Sequence, residues 1–367
     1  MPALKEIEVL IIGGGPAGLC AAAAAADLGA GILIIERDDK LGGQLVKQTH
    51  KFFGSRKQYA GERGYQIGNL LIEQCSTKAK VEVWSGTTAL GIYEDGVVTA
   101  EKDGQHLKIK PQKIIIATGA SEKMITFPNN DMPGIYGAGA VQTLMNVHGI
   151  VPGQRVLMIG AGNIGLIVSY QLLQAGVDVA AIIEAAPTIG GYLVHAAKIR
   201  RAGVPILTSH TIKEAYGEES VEGAIICRLD ENWRPISGSE QDLKVDVICL
   251  AVGLSPLTEL CFQADCQMHY VAELSGHVPL RNEYLETTRP GLYVAGDVSG
   301  VEEASSAMVE GRLAGISAAY SLGYGKDAAL KLQAEALVEL SELRAGPAGQ
   351  KTMQGLKKLM GKGGAGC

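Results

Sequence analysis

Residues 7–36 read IEVLIIGGGPAGLCAAAAAADLGAGILIIE, and this stretch decides the fold of the amino-terminal part of the chain. The apolar run at residues 7–12 predicts a buried strand, and the alanine-rich run at residues 19–28 predicts a helix. A further apolar run predicts a second strand that ends at Glu36. Between strand and helix, Gly13, Gly15 and Gly18 fit the pattern G-x-G-x-x-G, and Glu36 follows Gly18 by 18 residues. The complete unit predicts a dinucleotide-binding site.

Each glycine of such a unit has a separate physical role. The first permits a tight turn, the second lets the backbone approach a pyrophosphate at the helix amino terminus, and the third lets the helix pack closely on the strand. The acid can accept hydrogen bonds from both hydroxyls of an adenosine ribose. We expect the cofactor contacts of this first unit to come from Gly13, Gly15, Pro16, Ala17, Gly18, Glu36 and Arg37.

The same unit occurs again 147 residues further along the chain. Residues 154–159 (QRVLMI) predict a strand, GAGNIG follows at residues 160–165, and a predicted helix and strand end at Glu184. Because Ala185 and Ala186 come next and no arginine does, a 2′-phosphate would meet an uncompensated carboxylate, which favours NAD(H) over NADP(H). The alternative is a second unit that keeps the fold and binds no nucleotide. The expected contacts are Gly160, Gly162, Asn163, Ile164, Gly165 and Glu184.

The composition is that of a globular α/β protein. The 367 residues are 47% hydrophobic and 20% charged, which excludes disordered and collagen-like classes. The 48 glycines and the 5% of aromatic residues fit nucleotide-binding proteins, in which backbone approaches backbone and phosphate. The net charge of −6 argues against nucleic acid as a partner. Gly13–Pro16 interrupt the apolar stretch at residues 9–35, which argues against a membrane span there.

Seven cysteines are spread along the chain without a C-x-x-C pair, which predicts reduced thiols and a cytoplasmic location. We expect no signal peptide, since residues 1–8 lack a basic region. His148 and His195 have no companions at metal-ligand spacing, so no metal site is expected. Cys261 and Cys266 are interpreted as buried packing residues, with a redox pair as the alternative.

Two dinucleotide units in one chain imply a flavin together with a nicotinamide nucleotide. Three further motifs agree: KIIIATG at residues 113–119, DVICLAVG at 246–253 and RPGLYVAGDV at 289–298. With GGGPAG they make residues 7–323 resemble the two-dinucleotide-binding flavoprotein family that includes thioredoxin reductase. The resemblance implies an α/β fold with two three-layer Rossmann-like domains. Its NAD domain (residues 121–252) would be inserted into an FAD domain (residues 1–120 and 253–325).

The same resemblance implies where FAD is held. The first unit would bind FAD, and Asp297 would contact the flavin ribitol. Gly43 and Gln44 of KLGGQL would lie in the segment that runs beside the flavin. The helix after Asp297, which carries Ser305, would point its amino terminus at the flavin pyrimidine edge. The helix dipole favours negative charge there as the flavin is reduced. The other implied cofactor contacts are Thr118, Gly119, Gly253 and Gly296.

The chain departs from thioredoxin reductase at residues 136–143 (YGAGAVQT), where that family carries C-x-x-C before its second nucleotide motif. Without a dithiol, disulfide reduction by that route is excluded. Residues 132–153, 252–260 and 309–315 look instead like the alpha subunits of amine and imino-acid dehydrogenases, of the sarcosine oxidase, proline dehydrogenase, opine oxidase and hydrogen cyanide synthase type. Many of these add an iron–sulfur or ferredoxin-like module. Residues 325–367, with the single cysteine Cys367, are expected to form neither.

The expected function is that of an FAD-containing, NAD(H)-dependent oxidoreductase. It would be the flavoprotein subunit of a multi-subunit dehydrogenase, with a partner flavoprotein or iron–sulfur subunit in a hetero-oligomer. The alternatives in function are a free-standing NADH:acceptor reductase and a structural scaffold subunit. The alternative in assembly is a homodimer. No catalytic residue is predicted. His50 is interpreted as structural and Lys47 and Lys51 as surface residues, although each could act on the flavin.

Residues 326–367 are expected to lie outside both domains. Within them, residues 327–344 place Leu330, Leu337 and Leu340, with Ala334 as a further candidate, on one face of an amphipathic helix. Residues 346–367 are basic and glycine-rich, and three alternatives stay open for them: fraying in solution, docking on a partner subunit, or contact with an anionic membrane surface. The last is disfavoured because the lysines are few.

Overall fold

The structure, a computed structural model, describes residues 4–363, and at residues 347, 348 and 361–363 it describes the backbone only. The chain divides into two compact units. Unit 1 consists of Met1–Ser121 and Leu254–Cys367, and unit 2 consists of Glu122–Gly253. Each has a central sheet with helices packed on it, so the predicted α/β fold class, with one Rossmann-like unit inserted into another, is confirmed.

The elements of unit 1 before the insertion are β1 (Leu4–Ile12), α1 (Pro16–Leu28), β2 (Ile32–Ile35), α2 (Gly64–Ser76), β3 (Val81–Trp84), β4 (Thr87–Ile92), β5 (Val98–Lys102), β6 (Gln105–Ile116) and, at the boundary, β7 (Ala120–Glu122). Unit 2 contains β8 (Ile135–Gly137), α3 (Ala138–His148), β9 (Arg155–Ile159), α4 (Asn163–Gln174), β10 (Asp178–Glu184), α5 (Leu193–Arg201), β11 (Ile206–Thr208), β12 (His210–Tyr216), β13 (Gly223–Arg228), β14 (Gln241–Leu243) and β15 (Val247–Leu250).

Unit 1 then continues with β16 (Leu254–Pro256), α6 (Glu259–Gln263), β17 (Met268–Val271), β18 (Gly276–Pro279), β19 (Leu292–Val294), α7 (Ala304–Ser321), α8 (Lys326–Arg344) and α9 (Pro347–Gly363). Short 3-10 turns lie at Gly43–Lys47, Arg56–Gln58, Ala272–Leu274 and Asp297–Ser299.

The main sheet of unit 1 has the strand order β3-β2-β1-β6-β5-β4, and β19 also pairs with β6. Strands β1, β2, β3, β6 and β19 are joined in parallel, with Val9 opposite Ile32 on one side and Lys113 on the other. Residues 9–12 and 32–35 are buried because α1, α2 and α7 pack on one face of the sheet and β4, β5 and α6 on the other. Burial on both faces explains their unbroken apolar runs. The carboxyl ends of the parallel strands meet at one edge, where ligands bind in folds of this kind.

Unit 2 has a parallel sheet with the order β11-β10-β9-β15-β8 and a separate antiparallel sheet of β12, β13 and β14. Its carboxyl edge carries Gly160 after β9 and Glu184 at the end of β10. The second glycine motif therefore lies at the same kind of sheet edge as the first.

Small residues allow two helices of unit 1 to touch backbone to backbone. A β-carbon at Gly311 of α7 would lie 2.0 Å from the carbonyl oxygen of Ala17, and one at Gly315 would lie 2.2 Å from that of Ala21. Since α1 is mostly alanine, α7 can approach it at this distance. The alanine and glycine content of the two segments is therefore a packing requirement.

Helix α8 confirms the helix expected near residues 327–344, but its buried face is set differently. The buried residues include Ala329, Ala336 and Leu340, whereas Leu330 is 48% exposed. The expected face, which included Leu330 and Ala334, was wrong at those two positions because polar residues of α8 such as Gln333 also lie on its buried face. Gln333 Nε2 of α8 donates a hydrogen bond to Ser317 Oγ of α7 at 2.9 Å.

The basic, glycine-rich segment after α8 forms helix α9, which the sequence did not predict. Leu356 and Leu359 pack against Leu274 and its apolar neighbours. A β-carbon at Gly355 would lie 2.8 Å from Leu274 Cγ, so this glycine permits a close helix contact. Cys367 lies outside the described residues. Among residues 4–363, no helix has both the length and the apolarity that a membrane span needs.

Candidate functional site

The glycine loop of unit 1 follows β1. Gly13 has a φ of +108°, and a β-carbon there would lie 2.3 Å from the carbonyl oxygen of Ala117. A β-carbon at Gly18 would lie 1.9 Å from the carbonyl oxygen of Gly13. The fold itself therefore demands glycine at both positions. Pro16 opens α1, where its fixed φ suits the first helical residue and its missing N–H is not needed.

Gly15 differs from these two glycines. Its φ of −76° and ψ of −173° are open to any residue, and a β-carbon there would have Gly43 Cα, at 3.8 Å, as its nearest neighbour. The packing of the protein does not demand glycine at this position. A glycine here keeps the backbone at the start of α1 open to a group that approaches from outside, which fits a pyrophosphate on a helix amino terminus.

Glu36, at the end of β2, is held rigidly. It is 7% exposed, and its Oε2 and Oε1 accept hydrogen bonds from the backbone N–H groups of Gly14 at 2.7 Å and Asp38 at 3.0 Å. Each carboxylate oxygen keeps a further lone pair for a ribose hydroxyl. Arg37 is exposed and lies 3.8 Å from the Asp38 carboxylate, so the structure places it on the surface beside the site.

Unit 2 repeats the glycine geometry. Gly160 has a φ of +106°, and a β-carbon there would lie 2.3 Å from the carbonyl oxygen of Ala251. One at Gly165 would lie 2.0 Å from the carbonyl oxygen of Gly160. Gly162 has an ordinary φ of −73°, and a β-carbon there would meet nothing within 4 Å. The second loop thus has the same open position as the first, and it also fits a pyrophosphate.

The acid of unit 2 is held as its counterpart is in unit 1. Glu184 Oε2 and Oε1 accept hydrogen bonds from the backbone N–H groups of Ala161 at 2.8 Å and Ala186 at 3.0 Å. Asn163 Oδ1 accepts one from the Tyr192 N–H at 2.8 Å, and Ile164 is 40% exposed at the start of α4. These bonds fix the predicted NAD residues around the glycine loop.

A second glycine pair packs against each loop. Gly43 has a φ of +51°, and a β-carbon there would lie 2.8 Å from Gly15 Cα. In unit 2, a β-carbon at Gly191 would lie 2.9 Å from the carbonyl carbon of Gly162. Both pairs therefore bring backbone against the open glycine of the loop. Gln44 follows Gly43 and is exposed.

The sequence predictions omitted Gly190 and Gly191, although a signal for them was present. Residues 41–45 read LGGQL and residues 189–193 read IGGYL, at an offset of 148 residues. Glu36 and Glu184 have the same offset. A comparison of the chain with itself would have extended the repeat past the acid to this glycine pair.

Asp297 lies just beyond β19, on the sheet edge that carries the first glycine loop. Gly296 before it has a φ of +76°, and a β-carbon there would lie 2.9 Å from Ala17 Cβ. Asp297 Oδ1 accepts a hydrogen bond from the Glu302 N–H at 3.3 Å. Burial, together with the nearby Glu310 and Glu302 carboxylates, raises the pKa of Asp297 to about 7.

Four more predicted contacts lie in turns or at a helix start. Thr118, after β6, donates a hydrogen bond through Oγ1 to the Leu257 carbonyl at 2.8 Å, and Gly119 has a φ of +78°. Ser305 is 8% exposed in the first turn of α7. Gly253 lies in the turn between β15 and β16 and is the last residue of unit 2.

The cysteines and histidines lie mostly in structural positions. Cys261 and Cys266 are 0% and 7% exposed, and the Cys266 N–H donates to the Cys261 carbonyl at 3.0 Å. A hydrogen bond with the Cys261 thiol lowers the pKa of Cys266 to about 7. His50 stacks on Phe52 with 5.6 Å between ring centroids. Across residues 4–363, no group of three or more His, Cys, Asp or Glu side chains is arranged to hold a metal ion.

Comparison with known proteins gives relatives along most of the chain. An opine oxidase subunit from Agrobacterium tumefaciens (strain Ach5) is 29% identical over 329 residues, which are 85% of this chain and 65% of the relative. The alpha subunit of sarcosine oxidase from Corynebacterium sp. (strain P-1) is 27% identical over 334 residues, which are 86% of this chain and 33% of the relative. The chain thus spans less than two thirds of the length of these relatives.

The fold has solved counterparts, and the family is shown by sequence. The crystal structure of L-proline dehydrogenase from P. horikoshii has a TM-score of 0.69 at 24% identity, over 92% of this chain and 60% of that chain. Residues 7–311 match the model of the pyridine nucleotide-disulphide oxidoreductase family. The resemblance drawn from the motifs is confirmed: the chain belongs to this family of FAD-dependent oxidoreductases, whose cofactors are FAD and a nicotinamide dinucleotide.

Proposed function

We propose that the protein is the flavoprotein subunit of a multi-subunit dehydrogenase, with FAD in unit 1 and NAD(H) in unit 2. Electrons would pass between these cofactors and a partner flavoprotein or iron–sulfur subunit. The names of the relatives support the subunit part of the proposal, because the opine oxidase and sarcosine oxidase relatives are both named as subunits. An amine or imino acid as substrate agrees with the same names.

The pair of open glycines carries the proposal. Gly15 and Gly162 are the positions where the fold of each unit makes no demand for glycine, yet both lie at the start of a helix, beside an acid held by two backbone N–H groups. That combination suits a nucleotide pyrophosphate and its ribose. Since both units have this combination, each unit binds a nucleotide of its own in the proposed arrangement.

In unit 1 the side chains and backbone divide the binding of FAD among them. The loop at Gly15 and the amino terminus of α1 bind the pyrophosphate, and Glu36 binds the adenosine ribose. Asp297 binds the ribitol in this proposal, as the family resemblance implies. When bound, FAD supplies the redox chemistry of the reaction and NAD(H) supplies or accepts the hydride. The protein contributes position and orientation.

In unit 2 Glu184 selects the nucleotide. Its two hydrogen bonds to backbone N–H groups hold the carboxylate at the end of β10, so it cannot turn away from a 2′-phosphate without leaving both N–H groups unpaired. Ala185 and Ala186 follow and bring no compensating cation. We therefore propose NAD(H) rather than NADP(H) as the ligand of unit 2.

An anaerobic titration of the purified protein with NADH, followed by visible absorbance, tests this proposal, with NADPH as the matched control. We expect a yellow protein whose flavin absorbance falls with NADH and barely changes with NADPH. A yellow protein that ignores NADH would contradict the role of unit 2. Size-exclusion chromatography of the protein from its native source tests the subunit proposal: elution as a lone chain favours a free-standing reductase instead.

A further inference from the structure

A buried cluster of charged side chains lies at the start of α7. Arg344, the last residue of α8, is 8% exposed, and Glu310 of α7 is 2% exposed. Arg344 Nη2 lies 2.6 Å from Glu310 Oε1 and 2.6 Å from Glu302 Oε1, and Arg344 Nε donates to Glu302 Oε2 at 3.1 Å. One guanidinium therefore joins a carboxylate that precedes α7 to a carboxylate inside it.

The two carboxylate-bearing residues, Glu302 and Glu310, form hydrogen bonds with the turn that carries Asp297. Glu310 Oε2 accepts hydrogen bonds from the Gly296 N–H at 3.0 Å and from Ser299 Oγ at 2.7 Å. The Glu302 N–H donates to Asp297 Oδ1 at 3.3 Å. Arg344 thus holds two residues that contact this turn: Glu310, which binds Gly296 and Ser299, and Glu302, which binds Asp297 itself.

The charges of the cluster are almost balanced. Asp297, Glu302 and Glu310 are the acids, and Arg344 and Arg281 are the cations. Arg281 Nη2 lies 3.3 Å from Glu310 Oε1. Burial and the other two carboxylates raise the pKa of Asp297 to about 7, so it is already close to protonation in neutral solution. Arg344 opposes the raised pKa of Glu302 and helps to lower the pKa of Glu310, so loss of this cation would let the cluster bind an additional proton.

We infer that Arg344 is a positioning residue for the flavin: it fixes the Gly296–Ser299 turn and keeps the Asp297 carboxylate able to accept a hydrogen bond from a flavin hydroxyl. The inference rests on the proposed function, because it takes FAD to be the ligand of unit 1. Arg344 lies outside residues 7–311, which match the family. The carboxyl-terminal helix α8 therefore adds to a site that the family segment builds.

The test is the dissociation constant of FAD from the apoprotein, measured by fluorescence quenching between pH 6 and pH 9, for wild type and Arg344→Met. We expect Arg344→Met to weaken FAD binding about fivefold at pH 7 and about ninefold at pH 6, as follows if the proton affinity of the cluster, which titrates near pH 7 at Asp297, rises about tenfold. The difference from wild type should shrink toward pH 9, where the cluster loses its additional proton again. Thermal unfolding of both apoproteins is recorded alongside.

Arg312→Met is the matched control. Arg312 Nη2 of α7 donates to Glu339 Oε2 of α8, so this variant breaks an ion pair between the same two helices and leaves the Asp297 cluster intact. We expect it to lose thermal stability and to bind FAD as wild type does at every pH. The double variant Arg344→Met/Glu302→Gln, which removes a carboxylate together with the cation, should recover part of the FAD affinity.

Equal FAD affinity in Arg344→Met and Arg312→Met at every pH would overturn the inference while leaving the proposed function intact. If Arg344→Met does not fold, Arg344→Lys keeps the cation and loses the paired hydrogen bonds. It should weaken FAD binding without changing its pH dependence, and an affinity equal to that of wild type would overturn the inference. Wild-type protein that binds no FAD would instead contradict the proposed function, and the inference with it.

Discussion

The two nucleotide units repeat one geometry in a different chain order. In unit 1 the strand that lies next to β6, β19, comes last along the chain, after the glycine loop. In unit 2 the strand in the corresponding place, β8, comes first. The parallel sheets nevertheless match, because the fold depends on which strands are neighbours and not on where the chain enters. The glycine loop and the acid therefore occur together as a local unit. The fifth parallel strand, in contrast, can come before that unit or after it along the chain.

The helices that follow those strands differ in what meets their amino termini. In unit 2 the Glu122 carboxylate accepts hydrogen bonds from the N–H groups of Gly139 at 2.5 Å and Ala140 at 3.2 Å, so the chain itself occupies the first turn of α3. In unit 1, α7 begins beside Asp297 and its buried ion cluster. In the proposed binding, unit 1 therefore offers FAD the amino termini of α1 and α7, whereas unit 2 offers NAD(H) the amino terminus of α4.

The largest effect is expected from alanine at the first glycine of either loop. Gly13→Ala and Gly160→Ala each place a β-carbon about 2.3 Å from a carbonyl oxygen at a positive φ. We expect each to lower the free energy of unfolding by about 3 kcal/mol or more. Urea unfolding measures this. A loss below about 1 kcal/mol in one unit only would break the equivalence of the two loops.

The next effect separates the two acids by their burial. Glu36→Ala leaves the N–H group of the buried Gly14 without its partner, which should cost about 2 kcal/mol in the free energy of unfolding. Glu184 is only partly buried, so water can replace its carboxylate and Glu184→Ala should cost less. The two unfolding curves, taken in the same buffer without nucleotide, decide the order, and a reversed order would contradict this account.

A smaller effect concerns pH and unit 1 alone. The pKa of Asp297 is raised from its ordinary value of 3.8 to about 7, so folding favours the protonated form. Its contribution to stability is therefore full below about pH 4 and is lost as the pH rises through about 7. Asp297→Asn should remove this loss and flatten the decline in melting temperature of the apoprotein between about pH 4 and pH 8. An unchanged slope in the variant would contradict the raised pKa.

The smallest effect concerns nucleotide choice in unit 2. Glu184→Gln keeps an oxygen for one backbone N–H and removes the charge that opposes a 2′-phosphate. We expect the preference for NADH over NADPH to narrow by about tenfold, since an electrostatic cost of about 1.4 kcal/mol corresponds to that factor. Glu36→Gln is the matched control and should leave the preference unchanged. Isothermal titration with each nucleotide measures both.

Much of this site could be predicted from the sequence because its chemistry is local. The glycine loops, Glu36 and Glu184 are each defined by spacing within about thirty residues, which a strand–helix–strand unit fixes by itself. Arg344 could not be predicted, because its partner Glu302 lies 42 residues away and the two meet only when α8 packs on α7. The helix at residues 347–363 was also missed, since its glycines are typical of a tail until the surface that they contact is known.

The most direct test of the central claim compares Gly15→Ala with Gly162→Ala, both of which should fold as wild type does. We predict that Gly15→Ala is purified without flavin, and that Gly162→Ala is yellow but is not bleached by NADH under anaerobic conditions. Wild type should be yellow and bleached. If Gly15→Ala keeps its flavin, or if NADH bleaches Gly162→Ala as it does wild type, then the open glycines are not the places where the two nucleotides bind, and the account of two separate sites is wrong.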